Sequence, residues 1–171
     1  MKKKLLALLL ALSLLFSTAF AEILVEDGVV LWDQVVDGEE VLCTVEYGEV
    51  YSDPESVAMY LHVFCELPGN FITKKEAANL GWDSYQGNLW DVAYGMSIGG
   101  DRFGNREGIL PDAKGRKWYE ADLNYEGGYR GKDRLLFSDD GLIYVSYDHY
   151  TTAEMLYDEW FEEGYYAQGN P

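Results

Sequence analysis

The sequence predicts an α+β fold in which N-terminal helices pack on an antiparallel β-sheet within a single domain. Three observations carry this expectation. Helix-capping signals and 3.6-residue apolar periodicity occupy residues 52–81. Two-residue alternation punctuated by hairpin signals fills residues 117–150. The composition is 48% hydrophobic and 15% aromatic, with 14 Tyr and 5 Trp in 171 residues, enough for a core without many covalent staples. Helices first and strands later give helices on one face of a sheet.

Taken in order, residues 22–50 contain β-prone runs at Ile23–Val25, Val29–Trp32 and Val41–Val45, separated by the turn pairs Asp27-Gly28 and Asp37-Gly38. These fit a small meander, a pro-segment or a loose extension, and the sequence does not choose. Ser52 and Glu55 have capping-box spacing around Pro54, and Val57, Tyr60, Leu61 and Phe64 follow on one helical face. Leu67-Pro68-Gly69-Asn70 ends that helix. Thr73 and Glu76 open a second helix that stops at Leu80-Gly81. Residues 87–111 read mainly as loop, with a short helix near Leu89. Lys117–Leu123 is a strand with Trp118, Glu120 and Asp122 on one face and Tyr119, Ala121 and Leu123 on the other. Arg134–Ser138 is a second strand, Asp139-Asp140-Gly141 a hairpin loop, and Leu142–Tyr150 a further strand. There is no internal repeat.

The chain opens with Lys2, Lys3 and Lys4, continues through an apolar run from Leu5 to Phe16, and reaches Ala19-Phe20-Ala21. This is the three-part pattern of a secretory signal over 1–21, cut after Ala21. The expectation is a secreted, extracellular protein with no membrane association once the signal is removed. In that compartment a disulfide between Cys43 and Cys65 is permitted, and two separate thiols are the alternative. The net charge is −17, and removal of three Lys and no acids with the signal leaves −20. Taken alone this argues against nucleic acid, since phosphate binding needs cations. The distribution changes that reading. Residues 22–55 hold 11 acids and no Lys or Arg, and residues 151–171 hold 5 acids and again no Lys or Arg. The centre, 56–150, holds 14 acids and 10 basic residues. The acidity therefore lies in an N-terminal extension or pro-segment (22–51) and an acidic aromatic tail (157–171), flanking a balanced domain (52–156).

Within that centre His62 falls on the first helix, a structural place, whereas His149 lies between Asp148 and Tyr150. Glu120 is a mid-strand carboxylate, which must be paired, exposed or functional. Asp122, Arg130 and Arg134 lie close by in the proposed hairpin, where an ordinary cross-strand ion-pair cluster is the plain alternative. Lys74 sits in the first turn of the second helix, where a cation opposes the helix dipole and hints at an anion to meet. Together these groups suit phosphoryl transfer on RNA. The substrate brings its own 2′-hydroxyl nucleophile, so a base, an acid and cations around phosphorus suffice. Lys74, Arg130 and Arg134 fit the last role, Arg by its two-pronged grip on phosphate. DNA lacks the nucleophile.

From Ser52 to Tyr150, about 99 of the 171 residues, the chain resembles the barnase-like family of bacterial guanyl-preferring ribonucleases. The resemblance is carried by Leu-Pro-Gly-Asn-Phe-Ile-Thr-Lys at 67–74, Leu-Gly-Trp at 80–82 and Gly-Asn-Leu-Trp-Asp-Val-Ala at 87–93. It continues in Ser-Ile-Gly-Gly-Asp-Arg-Phe-Gly-Asn-Arg-Glu-Gly at 97–108 and Gly-Arg-Lys-Trp-Tyr-Glu-Ala-Asp-Leu-Asn-Tyr at 115–125. Gly-Tyr-Arg-Gly-Lys-Asp-Arg at 128–134, Leu-Ile-Tyr at 142–144 and Asp-His-Tyr at 148–150 complete it. So many ordered matches are far more specific than one short motif.

The resemblance implies Glu120 as general base, His149 as general acid, and Lys74, Arg130 and Arg134 as phosphate-binding cations. Asp122 would hold the two arginines, Asp101 would orient Lys74, and Tyr150 would stack or hydrogen-bond near the substrate. Phe103, Gly104, Asn105, Arg106 and Glu107 would form the guanine-binding loop. There the Asn105 and Arg106 backbone would meet guanine O6, while the Glu107 carboxylate would accept from the Watson–Crick-edge N–H groups. No metal or other cofactor is implied. The partners would be RNA and an acidic inhibitor protein, and the chain would act as a monomer. Gly104 stands where the family commonly has Ser, and the acidic ends depart from basic relatives. Residues 22–51 would thus either screen the cationic site or simply be solvated extensions. The rival readings are a secreted, non-catalytic binding protein that retains the scaffold, and an acidic glycosidase. The second leaves the His–Lys–Arg–Arg set without a role.

Overall fold

The computed structural model describes residues 23–36 and 38–158. The expected signal segment 1–21, and the expected tail apart from Tyr157 and Asp158, lie outside them. The architecture is α+β with largely antiparallel sheets, as the sequence predicts.

The N-terminal runs form a three-stranded antiparallel meander of β1 (Leu24–Glu26), β2 (Val29–Val36) and β3 (Glu39–Glu46). Glu26 pairs with Val29 across Asp27-Gly28, whose φ angles of 51° and 80° match the twist-compatible two-residue hairpin turn. Helix α1 (Pro54–Phe64) starts one residue later than the Ser52–Glu55 spacing suggests. Asp53 is the cap, and its side chain accepts from Ser56 N at 2.8 Å. The reason is Pro54. It holds the preceding residue extended (φ −74°, ψ 151°), which is cap geometry, and itself suits the first helical position. Helix α2 (Lys74–Asn79) carries the expected capping box, with Thr73 and Glu76 bonded reciprocally. Helix α3 (Leu89–Val92) is the short one near Leu89.

The main sheet has the order β4 (Phe71–Ile72), β5 (Ser97–Phe103), β6 (Trp118–Asp122), β7 (Arg134–Ser138), β8 (Ile143–Ser146) and β9 (Glu154–Tyr157). All pairs are antiparallel except β4 with β5. The expected strand to Tyr150 stops at Ser146, because side chains capture the backbone there. Ser146 Oγ accepts from Tyr150 N at 3.0 Å, and Asp148 Oδ1 accepts from Thr151 N and Thr152 N at 3.0 and 2.9 Å. His149 and Tyr150 adopt φ of 56° and 68° in the resulting turn. The chain then returns as β9, whose last residue, Tyr157, stacks on buried His62 at 4.1 Å.

Three layers follow from the packing. Val57, Ala58 and Leu61 of α1 bury against Ala121, Leu123, Leu135, Ile143 and Val145 on one face of the main sheet. Met59, Tyr60, Val63 and Phe64, on the other side of α1, bury against Val30, Trp32 and Val45 of the meander. Helix α1 is therefore apolar all round from Val57 to Phe64 rather than along one stripe. The expected Cys43–Cys65 bridge is not formed, and both thiols are free. Cys43 Sγ donates to Gln34 Oε1 across the meander at 3.4 Å. Cys65, in a left-handed cap that closes α1, lines a cavity with Leu67, Tyr119 and Phe137. No helix among the described residues is long and apolar enough to cross a membrane.

Candidate active site

Strand β6 places Glu120 and Asp122 on the face of the main sheet turned away from α1. Cross-strand register puts Leu136 opposite Glu120 and Arg134 opposite Asp122, so a carboxylate pair and an arginine emerge side by side. Glu120 is only 6% exposed. Lys74 Nζ donates to its Oε1, and Tyr150 Oη donates to its Oε2 at 2.5 Å. Burial opposes its ionisation. The hydrogen bonds from Lys74 and Tyr150, with the charges of Lys74 and Arg130, outweigh that and hold the carboxyl below the usual carboxylate range. Burial, and then the bond to Glu120, push the Tyr150 phenol up to about 12.

Asp122 is buried and grips both arginines. Arg130 Nε and Nη2 donate to its two oxygens, each at 2.6 Å, and Arg134 Nε lies 3.1 Å from Oδ1. Arg134 Nε also donates to Tyr150 Oη at 3.0 Å, and its Nη1 donates to Asp133 O at 2.8 Å. One terminal nitrogen of each guanidinium makes no hydrogen bond among the described residues. Arg130, Arg134 and His149 line one open cavity of about 550 Å³ with Gly131, Lys132, Asp148 and Thr151. The His149 ring leans on Tyr150 at 4.7 Å.

A bulge in β5 between Gly99 and Asp101, with Gly100 at φ 87°, turns Asp101 toward α2. Its Oδ2 accepts from Lys74 N at 2.7 Å, fixing the start of the helix that carries Lys74. Phe103, at the end of the same strand, stacks on Tyr150 at 5.0 Å. Asn105 adopts φ 44°, and its side chain closes the following loop, bonded to Leu110 N, Leu110 O and Asp112 at 3.1, 2.9 and 3.2 Å. Gly104, Arg106 and Glu107 are exposed.

The structure thus brings together Lys74, Asp101, Glu120, Asp122, Arg130, Arg134 and Tyr150, with Phe103 joined through Tyr150 and His149 on the same cavity. No hydrogen bond or ion pair among the described residues ties Gly104, Arg106 or Glu107 to that cluster. Three residues escaped the sequence reading. Lys132 lines the cavity, and Ser146 and Asp148 pin the turn carrying His149. The Ser146-x-Asp148 spacing before Thr151-Thr152 is the signal that could have revealed the turn. Among the described residues no group of three or more His, Cys, Asp and Glu converges as a metal site would require. The arrangement can hold an anion against cations, offer a carboxylate to a hydroxyl proton, and present an imidazole on the cavity that Arg130 and Arg134 line.

Comparison with known proteins bears on this arrangement. Residues 55–159 match the family described as ribonuclease. A ribonuclease of Heyndrickxia coagulans is 56% identical over 98 residues, covering 57% of this chain and 90% of that protein. Ribonucleases of Bacillus intermedius and Bacillus pumilus are each 56% identical over 98 residues, 57% of this chain but only 60% of theirs.

Proposed function

The chain belongs to the ribonuclease family, and on that basis we propose that it is an exported, metal-independent endoribonuclease cutting single-stranded RNA, preferably after guanosine. The observation that carries the reading is that Tyr150 joins Glu120, ionised and bound by Lys74, to Arg134 and to the His149 ring, which share one cavity with Arg130. Glu120 takes the proton of the 2′-hydroxyl, whose oxygen attacks phosphorus. His149 gives its proton to the departing 5′ oxygen, and a 2′,3′-cyclic phosphate forms. Water then opens the cycle with the two residues exchanging roles, leaving a 3′-phosphate. Lys74 and the spare nitrogens of Arg130 and Arg134 hold the charge on the phosphoryl oxygens. Asp122 pre-orients both arginines, so little reorganisation accompanies the reaction.

Guanine would lie along 103–107. The Asn105 side chain is used within its own loop, which leaves the base to the backbone and to the exposed Glu107 carboxylate, an acceptor for guanine N–H groups. Export is supported by the segment 1–21, and the molecule would act as a monomer open to an acidic inhibitor.

The test uses one RNA strand containing a single guanosine and the same strand with 2′-deoxyguanosine at that position. The first should be cut and the second left intact. Cleavage of both would remove the 2′-hydroxyl from the mechanism.

A further inference from the structure

The three most exposed large hydrophobic side chains among the described residues lie on the loops before and after α3 and on the loop between β6 and β7. Tyr85 is 89%, Tyr94 83% and Tyr129 71% exposed. The loops that carry them are rigidly braced. The backbones of Gly87 and Gly128 approach so closely that a Cβ on Gly87 would lie 2.9 Å from Gly128 C, and Asn88 pairs with Gly128. Tyr125 Oη donates to Gly128 O at 2.8 Å, and Tyr129 Oη donates to Tyr85 O at 3.2 Å. Gly127 presses on the ring of Trp90, which also meets Tyr94 at 5.3 Å. The fold thus holds aromatic rings in water and buries none of them. The next residue after Tyr129 is Arg130, which lines the cationic cavity. A Cβ on Gly128 or Gly131 would meet nothing within 4 Å, so the space beside Arg130 is open.

We propose that Tyr85 and Tyr129 form a stacking platform for unpaired bases of the RNA strand whose phosphate rests against Arg130. Every base has a π-face, so such a platform adds affinity for longer single strands without reading their sequence. A strand held at Arg130 by its backbone must lay its neighbouring bases somewhere. Two open rings on loops joined by the Tyr129 hydroxyl and the Tyr85 carbonyl, one of them adjoining that cation, suit this better than a protein surface, whose contact patches are contiguous. The inference rests on the ribonuclease reading.

The test compares kcat/KM for a ten-nucleotide RNA containing one guanosine with that for a guanosine dinucleotide. In Tyr85→Ala and Tyr129→Ala the ratio of long to short should fall about 10-fold, mainly through KM, the order expected for one lost stacked base. Tyr85→Phe should keep the wild-type ratio. Tyr85 stands in water, so its replacement leaves the core intact. A ratio unchanged in Tyr85→Ala and Tyr129→Ala overturns the platform and leaves these rings to a protein partner. An uncleavable 2′-deoxy decamer separates the two readings. If the wild type cuts no RNA, the ribonuclease reading fails, yet weaker decamer binding by Tyr85→Ala, persisting at high salt where phosphate contacts fade, still supports the platform. Equal binding by Tyr85→Ala and the wild type overturns it.

Discussion

At Glu120 two opposing effects meet, and the hydrogen bonds and charges around it prevail over burial. Its carboxyl ionises more readily in the folded chain than in the unfolded one. The stability it contributes is therefore fully present above the ordinary carboxylate pKa of about 4.3 and is lost as pH falls through the depressed folded value. The acid limb of kcat/KM should lie in that same low range. Lys74→Met removes both a hydrogen bond and a charge, so it should move the limb to higher pH, and Tyr150→Phe, which removes one hydrogen bond, should move it less. A limb that stays in place in both variants would mean that another group titrates there. Asp122 offers a stability test. Asp122→Ala strands Arg130 and buried Arg134 without their shared partner, and should cost about 3 to 5 kcal/mol in urea unfolding. The sequence made these residue types legible because a carboxylate in mid-strand and a lysine at a helix start are locally odd. Lys132 and Asp148 are ordinary by that measure, and only the fold brings them to the cavity.

Among the elements, the turn after β8 departs most from the alternation pattern. The residues from Leu142 to Tyr150 continue to favour a strand, but Ser146 and Asp148 offer the backbone closer partners than a neighbouring strand does. That competition between side chain and ladder is invisible to periodicity, yet it sets the position of His149. Asp148→Ala should loosen the turn and lower kcat on the order of 10-fold with little change in KM, since misplacing an acid by a fraction of an ångström is costly. An unchanged kcat would show that the turn holds without Asp148. Helix α2 was legible to its cap because Thr73 and Glu76 specify the box locally. Helix α1 was legible in extent but not in surroundings. Its second apolar side makes sense only once the meander covers it. Nor did the sequence reveal β9, since its exposed Glu154, Met155 and Leu156 lack a clean alternation.

Across the whole molecule the order is meander, α1, main sheet, site. The described acidic residues between 23 and 51 therefore do not occupy the cationic cavity, because helix and sheet stand between them. The physical reason is the apolar seam of Val30, Trp32 and Val45, which seats the segment on α1 regardless of its charge. A chain beginning at Tyr51 would expose Met59, Tyr60, Val63 and Phe64, each contributing roughly 1.5–3 kcal/mol when buried. It should melt well below the full chain and gain no RNA affinity beyond the modest effect of a lower net negative charge. A large gain would restore the screening idea. Whether Glu120 and His149 cut RNA through its own 2′-hydroxyl can be read from mass spectrometry of product ends. A short RNA with one guanosine would be incubated with the chain in excess EDTA. The expected product is a guanosine 2′,3′-cyclic phosphate that converts to a 3′-phosphate, with no such product from Glu120→Ala. Products ending in 5′-phosphate, or cleavage that requires an added divalent cation, would contradict it.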